Sequence, residues 1–210
     1  MSDSTIDLEA LGAASLVPEP YPHIYVPEFI RHEALARLEA EYPAIEAPGS
    51  IPPGAVVLTP AFRRFLDELE GPALRDAIAR KFDLDLAGRP TMLTLRGQLC
   101  GKEGKIHTDS KTKLITILIY FNQVWEKPGG RLRVLRSPTD LEEYSLEVPP
   151  LSGHMLAFRV GECSWHGHYP ARGPRRAIQL NWVTDVSVAR REQFRHRLSA
   201  GVKRLIRWAS

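Results

Sequence analysis

The feature that most constrains the fold is a change of periodicity near residue 91. Before it, apolar residues recur at helical spacing, and Thr59-Pro60 has the cap and the first-turn proline that typically begin a helix. After it, short segments of apolar and β-branched residues are separated by Gly and Pro turns, which is typical of an all-β sandwich or barrel. The predicted strands span residues 92–99, 113–121, 131–135, 144–148, 154–160 and 175–184.

This order of elements predicts an α+β, mainly β protein. We expect a double-stranded β-helix (a cupin-like jelly roll) whose larger sheet is backed by N-terminal helices and which closes on a C-terminal helix. A chain of 210 residues fits one such domain. The predicted segments are an N-terminal tail (1–16) and a single domain (17–210) made of helical support (17–90), jelly-roll core (91–185) and a C-terminal basic helix (186–208).

Two of the predicted strands each have one uniformly apolar face and one mixed face, because side chains alternate along a strand. The apolar faces suit packing under helices, and the mixed faces suit the lining of a wet cavity. The mixed faces carry Thr116, Leu118 and Tyr120 in one strand and Arg175, Ala177, Gln179 and Asn181 in the other. Arg176 points to the opposite face from its neighbour, so only one of this arginine pair can serve the cavity.

The candidate metal ligands are His107, Asp109 and His166. Two imidazoles and one carboxylate form the ligand set that holds non-haem Fe(II) while leaving positions open. In a strand, His107 and Asp109 would project to the same side, and the third ligand must come from a distant strand that folds back beside them. His168 is the rival third ligand, because in extended chain it faces the same way as His166; reach to Arg175 favours His166.

Arg175 is the candidate anion clamp of the same site. Its guanidinium is a rigid fork of donors that pairs bidentately with a carboxylate, so it suits an acidic cosubstrate. Tyr120 shares a mixed face and can donate a hydrogen bond to the same carboxylate.

The bulk composition is that of an ordinary soluble protein, with 43% hydrophobic and 25% charged residues and a formal net charge of +3. No run approaches the roughly 18 apolar residues of a membrane span, and the N-terminus has no signal-like apolar region. Cys100 and Cys163 show no metal or redox spacing. We therefore expect a cytoplasmic protein with free thiols.

The C-terminal segment is locally basic, with seven Lys or Arg and one acid between residues 190 and 207. The predicted helix also has an apolar stripe, which favours a closing helix packed on the domain. The alternative is attachment to an anionic membrane surface, giving a membrane-peripheral protein. Nucleic acid is a poorer partner, because only one short face is basic.

The stretch from His107 to Asp185 resembles the 2-oxoglutarate- and Fe(II)-dependent dioxygenases, most closely their prolyl 4-hydroxylase-like branch. The matching pieces are His107-Thr-Asp109, Leu118-Ile-Tyr-Phe-Asn122, Trp125 with Gly129-Gly-Arg-Leu132, Leu156-Ala-Phe158, Trp165-His166 and Arg175-Arg-Ala-Ile178. The resemblance implies iron ligands at His107, Asp109 and His166, a cosubstrate arginine at Arg175 and its assisting tyrosine at Tyr120. Members often carry a tyrosine in the strand ahead of the metal, where this chain has Arg96-Gly-Gln98.

The resemblance also implies a reaction: oxidative decarboxylation of 2-oxoglutarate to succinate, coupled to hydroxylation of a second substrate. Fe(II), 2-oxoglutarate and O₂ are then required, and ascorbate is a candidate reductant. Halogenating relatives lack the carboxylate ligand, so the presence of Asp109 favours hydroxylation. Peptidyl proline, an amino acid or a glycan would all fit as substrate.

Two other classes of function compete with this interpretation. A cupin-like metal enzyme that does not use 2-oxoglutarate would explain the ligands but leave Arg175 without a task. A non-catalytic binding module on the same scaffold is disfavoured, because the triad and the clamp are both intact.

Overall fold

The computed structural model describes residues 4–187. The helices are α1 (Leu8–Ala13), α2 (His32–Ala40), α3 (Pro60–Leu69) and α4 (Pro72–Phe82), with a 3₁₀ turn at Pro53–Ala55. The strands are β1 (His23–Val26), β2 (Thr91–Cys100), β3 (Lys113–Tyr120), β4 (Leu132–Leu135), β5 (Tyr144–Val148), β6 (Met155–Arg159), β7 (His166–Gly167) and β8 (Arg172–Val183).

The strands form two sheets in which the neighbouring strands are antiparallel. The larger has five strands in the order β1-β6-β3-β8-β2, and the smaller has three in the order β5-β4-β7. The proline-rich segment over residues 20–27 contains β1, which lies at one edge of the larger sheet. Mostly antiparallel sheets with few helices are consistent with the predicted double-stranded β-helix.

The helices cover the outer face of the larger sheet, as the apolar strand faces predicted. Helix α3 begins where expected: the Thr59 hydroxyl accepts a hydrogen bond from the Phe62 amide at 3.1 Å, and Pro60 opens the first turn. The buried residues of α3 and α4 join one core with the apolar faces of β3 and β8. On β3 that face consists of Ile115, Ile117 and Ile119. The opposite faces of both strands are thereby left for the interior between the sheets.

The N-terminal prediction was wrong in part. Residues 1–16 were expected to form a tail, but Leu8–Ala13 form helix α1. Its start is capped by the Asp7 carboxylate, which accepts from the Glu9 and Ala10 amides at 3.0 and 2.8 Å. Ile6 and Leu11 are buried in the helical side of the core. The burial of these two apolar residues stabilises a helix too short to persist alone.

The predicted C-terminal basic helix (186–208) lies outside the described residues, apart from its first two positions. Over residues 4–187 no helix combines the length and the apolar character needed to cross a membrane.

Candidate metal centre

His107 and His166 are brought together by the backbone. Each amide donates to the other residue's carbonyl at 3.0 Å, and the two rings lie 4.3 Å apart between centroids. The expected strand over residues 107–109 is absent: His107 makes one isolated bridge, and the chain is irregular through Asp109. Even so, ligand atoms of His107, Asp109 and His166 all lie within 4.8 Å of one another. The distant third residue thus folds back beside the first, as the spacing predicted.

Both imidazoles present a free ring nitrogen to this cluster. Nδ1 of His107 lies 2.8 Å from the Lys105 carbonyl oxygen, and Nδ1 of His166 lies 2.9 Å from that of Ser164. A carbonyl oxygen only accepts, so Nδ1 carries the proton and Nε2 keeps its lone pair for a metal. Burial and the neighbouring His107 lower the pKa of His166 to about 4, so this imidazole is neutral at neutral pH.

Asp109 supplies the negative charge. Burial opposes its ionisation, but Lys113, His166 and two hydrogen bonds outweigh burial and lower the pKa of Asp109 to about 2. Lys113 Nζ lies 2.7 Å from one carboxylate oxygen, and the Thr116 hydroxyl donates to the other at 2.5 Å. Two imidazoles and one ionised carboxylate fit a divalent iron ion.

His168, the rival ligand, lines the same cavity but is not one of the three clustered residues. Its Nδ1 lies 2.8 Å from the Tyr169 carbonyl oxygen, and its amide donates to the Gly104 carbonyl at 2.9 Å. Burial and Arg175 lower its pKa to about 4. Gly104 has a φ of +99°, and a Cβ there would come within 2.2 Å of the His168 carbonyl oxygen, so this contact requires glycine.

Arg175 and Tyr120 meet on the inner faces of β8 and β3. Arg175 is only 4% exposed; its Nε donates to the Gly130 carbonyl at 2.9 Å, and Nη2 lies 3.4 Å from the Tyr120 hydroxyl. Its guanidinium also lies 5.0 Å from the centroid of the Tyr120 ring. Arg176 is exposed on the other face, where it donates to the Glu39 carbonyl at 3.3 Å.

A cavity of about 210 Å³ is lined by the three clustered residues and by Arg175. Sequence reasoning left the role of Arg96 open and did not identify Lys113, yet both side chains line this cavity. The available signal for Arg96 was strand alternation, which places it on the same face of β2 as the buried, cavity-lining Thr94.

Comparison with known proteins agrees with this geometry. Residues 94–184 match the family model described as "2OG-Fe(II) oxygenase superfamily". That span contains the three clustered residues and Arg175. Comparison of the sequence with curated proteins gave no match.

Solved structures show the same fold at low sequence identity. A prolyl-4-hydroxylase from Pseudomonas putida aligns with a TM-score of 0.56 and 19% identity, over 89% of this chain and 99% of that chain. An oxidoreductase of the 2OG-Fe(II) oxygenase family from Burkholderia pseudomallei aligns with a TM-score of 0.50 and 14% identity, over 77% of this chain and 84% of that one. At these identities the likeness is one of fold.

Proposed function

We propose that this protein is an Fe(II)- and 2-oxoglutarate-dependent dioxygenase that hydroxylates a second substrate. The observation that carries the proposal is the convergence of two ligand sets on one interior. His107, Asp109 and His166 offer a metal site, and Arg175 with Tyr120 offers a carboxylate site between the same two sheets. A metal enzyme without an acidic cosubstrate does not need the second set.

Each residue has a defined task in this proposal. His107, Asp109 and His166 would hold Fe(II), which when bound supplies the redox chemistry with O₂. Arg175 would bind the far carboxylate of 2-oxoglutarate. Tyr120 would hold the guanidinium of Arg175 in place through its hydroxyl and its ring. Burial of both groups strengthens the ion pair, because little water competes for the charge.

The size of the cavity bears on the substrate. Its volume of about 210 Å³ is below the roughly 300–1,000 Å³ of common ligand pockets. A second cleft of about 590 Å³ shares Glu103, Gly104 and His168 with it. With iron and cosubstrate in the cavity, only a small part of the substrate would enter, and its remainder would occupy the cleft. Peptidyl proline, an amino acid and a glycan end all meet this requirement.

The direct test is succinate formation from 2-oxoglutarate by the purified protein with added Fe(II), screened across peptides, amino acids and glycans. We expect iron-dependent succinate formation, abolished in Asp109→Ala and retained in Arg176→Gln, which alters an exposed arginine outside the cavity. Addition of ascorbate tests its candidate role as reductant.

The outcome separates the rival classes. A cupin-like enzyme would bind iron without consuming 2-oxoglutarate, and a binding module would give neither turnover nor iron-dependent cosubstrate binding. Either result would refute the proposed function.

We also propose that the protein is cytoplasmic, with attachment of its basic C-terminal segment to an anionic membrane as the alternative to a closing helix packed on the domain. The support is the charge pattern between residues 190 and 207. Co-sedimentation of the full chain with anionic liposomes at low and high salt tests it, and no binding at low salt removes the membrane proposal.

A further inference from the structure

Arg96 is a second arginine in the cavity, and the proposed reaction has not yet given it a role. It lies on β2 opposite Ala177 of β8, two residues along that strand from Arg175. Diagonal neighbours of this kind are about 7–8 Å apart between backbones. The small side chain of Ala177 leaves room beside Arg96, so two guanidinium groups share one wall of the cavity.

The Arg96 guanidinium is held by a hydrogen-bond chain that reaches the metal site. Its Nη2 donates to Gln179 Oε1 at 2.9 Å, and Gln179 Nε2 donates to Asn181 Oδ1 at 3.4 Å. Asn181 Nδ2 then donates to the Thr116 hydroxyl at 2.7 Å, which donates to Asp109. A guanidinium can only donate and a carboxylate can only accept, so both ends impose the same direction on every link.

The backbone of Arg96 is fixed by Tyr42, whereas its guanidinium has no carboxylate partner among the described residues. The Tyr42 hydroxyl lies 2.9 Å from the Arg96 carbonyl oxygen and 2.8 Å from that of Ala177, which joins β2 to β8 at this point. Within residues 4–187 no carboxylate forms an ion pair with Arg96 or Arg175, and Arg96 Nε is buried without a partner. A half-buried guanidinium with an unpartnered Nε and no carboxylate partner is suited to bind an anion.

The charge balance of the cavity indicates that 2-oxoglutarate alone does not supply enough negative charge for both arginines. The charged lining residues are the cations Arg96, Lys113 and Arg175 and the carboxylates Asp109 and Glu103. Fe(II) and the 2-oxoglutarate dianion cancel one another, so one positive charge remains in excess. Lys113 is already paired with Asp109. Arg175 binds the far carboxylate in the proposed function, so Arg96 is the arginine left to bind a further anion.

We propose that Arg96 binds an anionic group of the primary substrate, a carboxylate or a phosphate, beside the cosubstrate. This inference rests on the proposed function and narrows its substrate class to acids. Neutral glycan ends and amidated peptides are poor substrates in this view, whereas acidic sugars, free amino acids and acidic peptides fit. The same chemistry could instead serve 2-oxoglutarate, and the experiment distinguishes the two sources of carboxylate.

The first arm measures 2-oxoglutarate binding by calorimetry to the Mn(II)-loaded protein, in which no turnover occurs. We expect Arg96→Gln to change the dissociation constant by less than about threefold and Arg175→Gln to raise it at least tenfold. Arg176→Gln, the adjacent outward arginine, is the matched control. A tenfold loss in Arg96→Gln would overturn the inference, because Arg96 would then belong to the cosubstrate clamp.

The second arm titrates acetate and inorganic phosphate into the Mn(II) protein saturated with 2-oxoglutarate. We expect one further anion to bind to the wild type, to be weakened at least tenfold by Arg96→Gln and to be largely restored in Arg96→Lys. Equal binding of both probes by Arg96→Gln, or no binding by the wild type, would refute an anion site at Arg96. Absence of 2-oxoglutarate binding in the wild type would refute the proposed function itself, so the two failures are distinguishable.

Discussion

Thr116→Val tests the hydrogen-bond chain that ends on Asp109. The substitution keeps the shape of the side chain but removes the hydroxyl that donates to Asp109 at 2.5 Å and accepts from Asn181 at 2.7 Å. Loss of a hydrogen bond to a charged group costs about 1.5–3 kcal/mol, and a buried amide left without its acceptor adds about 1–3 kcal/mol. We therefore expect the metal-free protein to lose at least about 2 kcal/mol of unfolding free energy.

The assay is urea denaturation in the presence of a chelator, with Thr112→Val as the matched control. The Thr112 hydroxyl hydrogen-bonds to the hydroxyl of the exposed Ser110. Loss of the Thr112 hydroxyl should therefore cost less than about 0.5 kcal/mol of unfolding free energy. The double variant of Thr116→Val with Asn181→Leu should lose less than the sum of the singles, because each residue is the other's partner. If Thr116→Val keeps the wild-type unfolding free energy, or if the losses of the two single variants add up to that of the double variant, the hydrogen-bond chain does not act as a unit.

Two further predictions concern the ligands. Arg175→Gln should weaken 2-oxoglutarate binding at least tenfold, because each hydrogen bond to the carboxylate contributes about 1.5–3 kcal/mol; Tyr120→Phe should cost less, and equal binding by the wild type and Arg175→Gln would place the clamp elsewhere. His166→Ala should weaken Mn(II) binding by more than about a hundredfold and His168→Ala by less than about tenfold; the reverse order in a calorimetric titration would mean that the third ligand was misassigned.

Much of the architecture could be predicted because it depends on local rules. Helix α3 begins at Pro60 since Thr59 caps it, and its four buried residues follow helical spacing. The inner and outer faces of β3 and β8 follow from alternation alone, which is why Tyr120 and Arg175 could be placed inside together. Alternation also placed Arg176 outside.

Helix α1 could not be predicted, because its stability comes from contacts distant in sequence. Its six residues are too few to form a helix alone. The burial of Ile6 and Leu11 against the helical side of the core stabilises it.

The sequence by itself determined the residue types of the site and the strand faces that carry Arg175 and Tyr120. Alternation could not separate His166 from His168, since both have the same parity in an extended chain, and it was reach to Arg175 that favoured His166. In the tertiary structure, paired backbone hydrogen bonds join His107 to His166, and the His166 imidazole lies in the cluster with His107 and Asp109, whereas His168 is not part of that cluster. The hydrogen-bond chain from Arg96 to Asp109 is likewise visible only in the tertiary structure. Side chains from three strands meet only when the register between those strands is set.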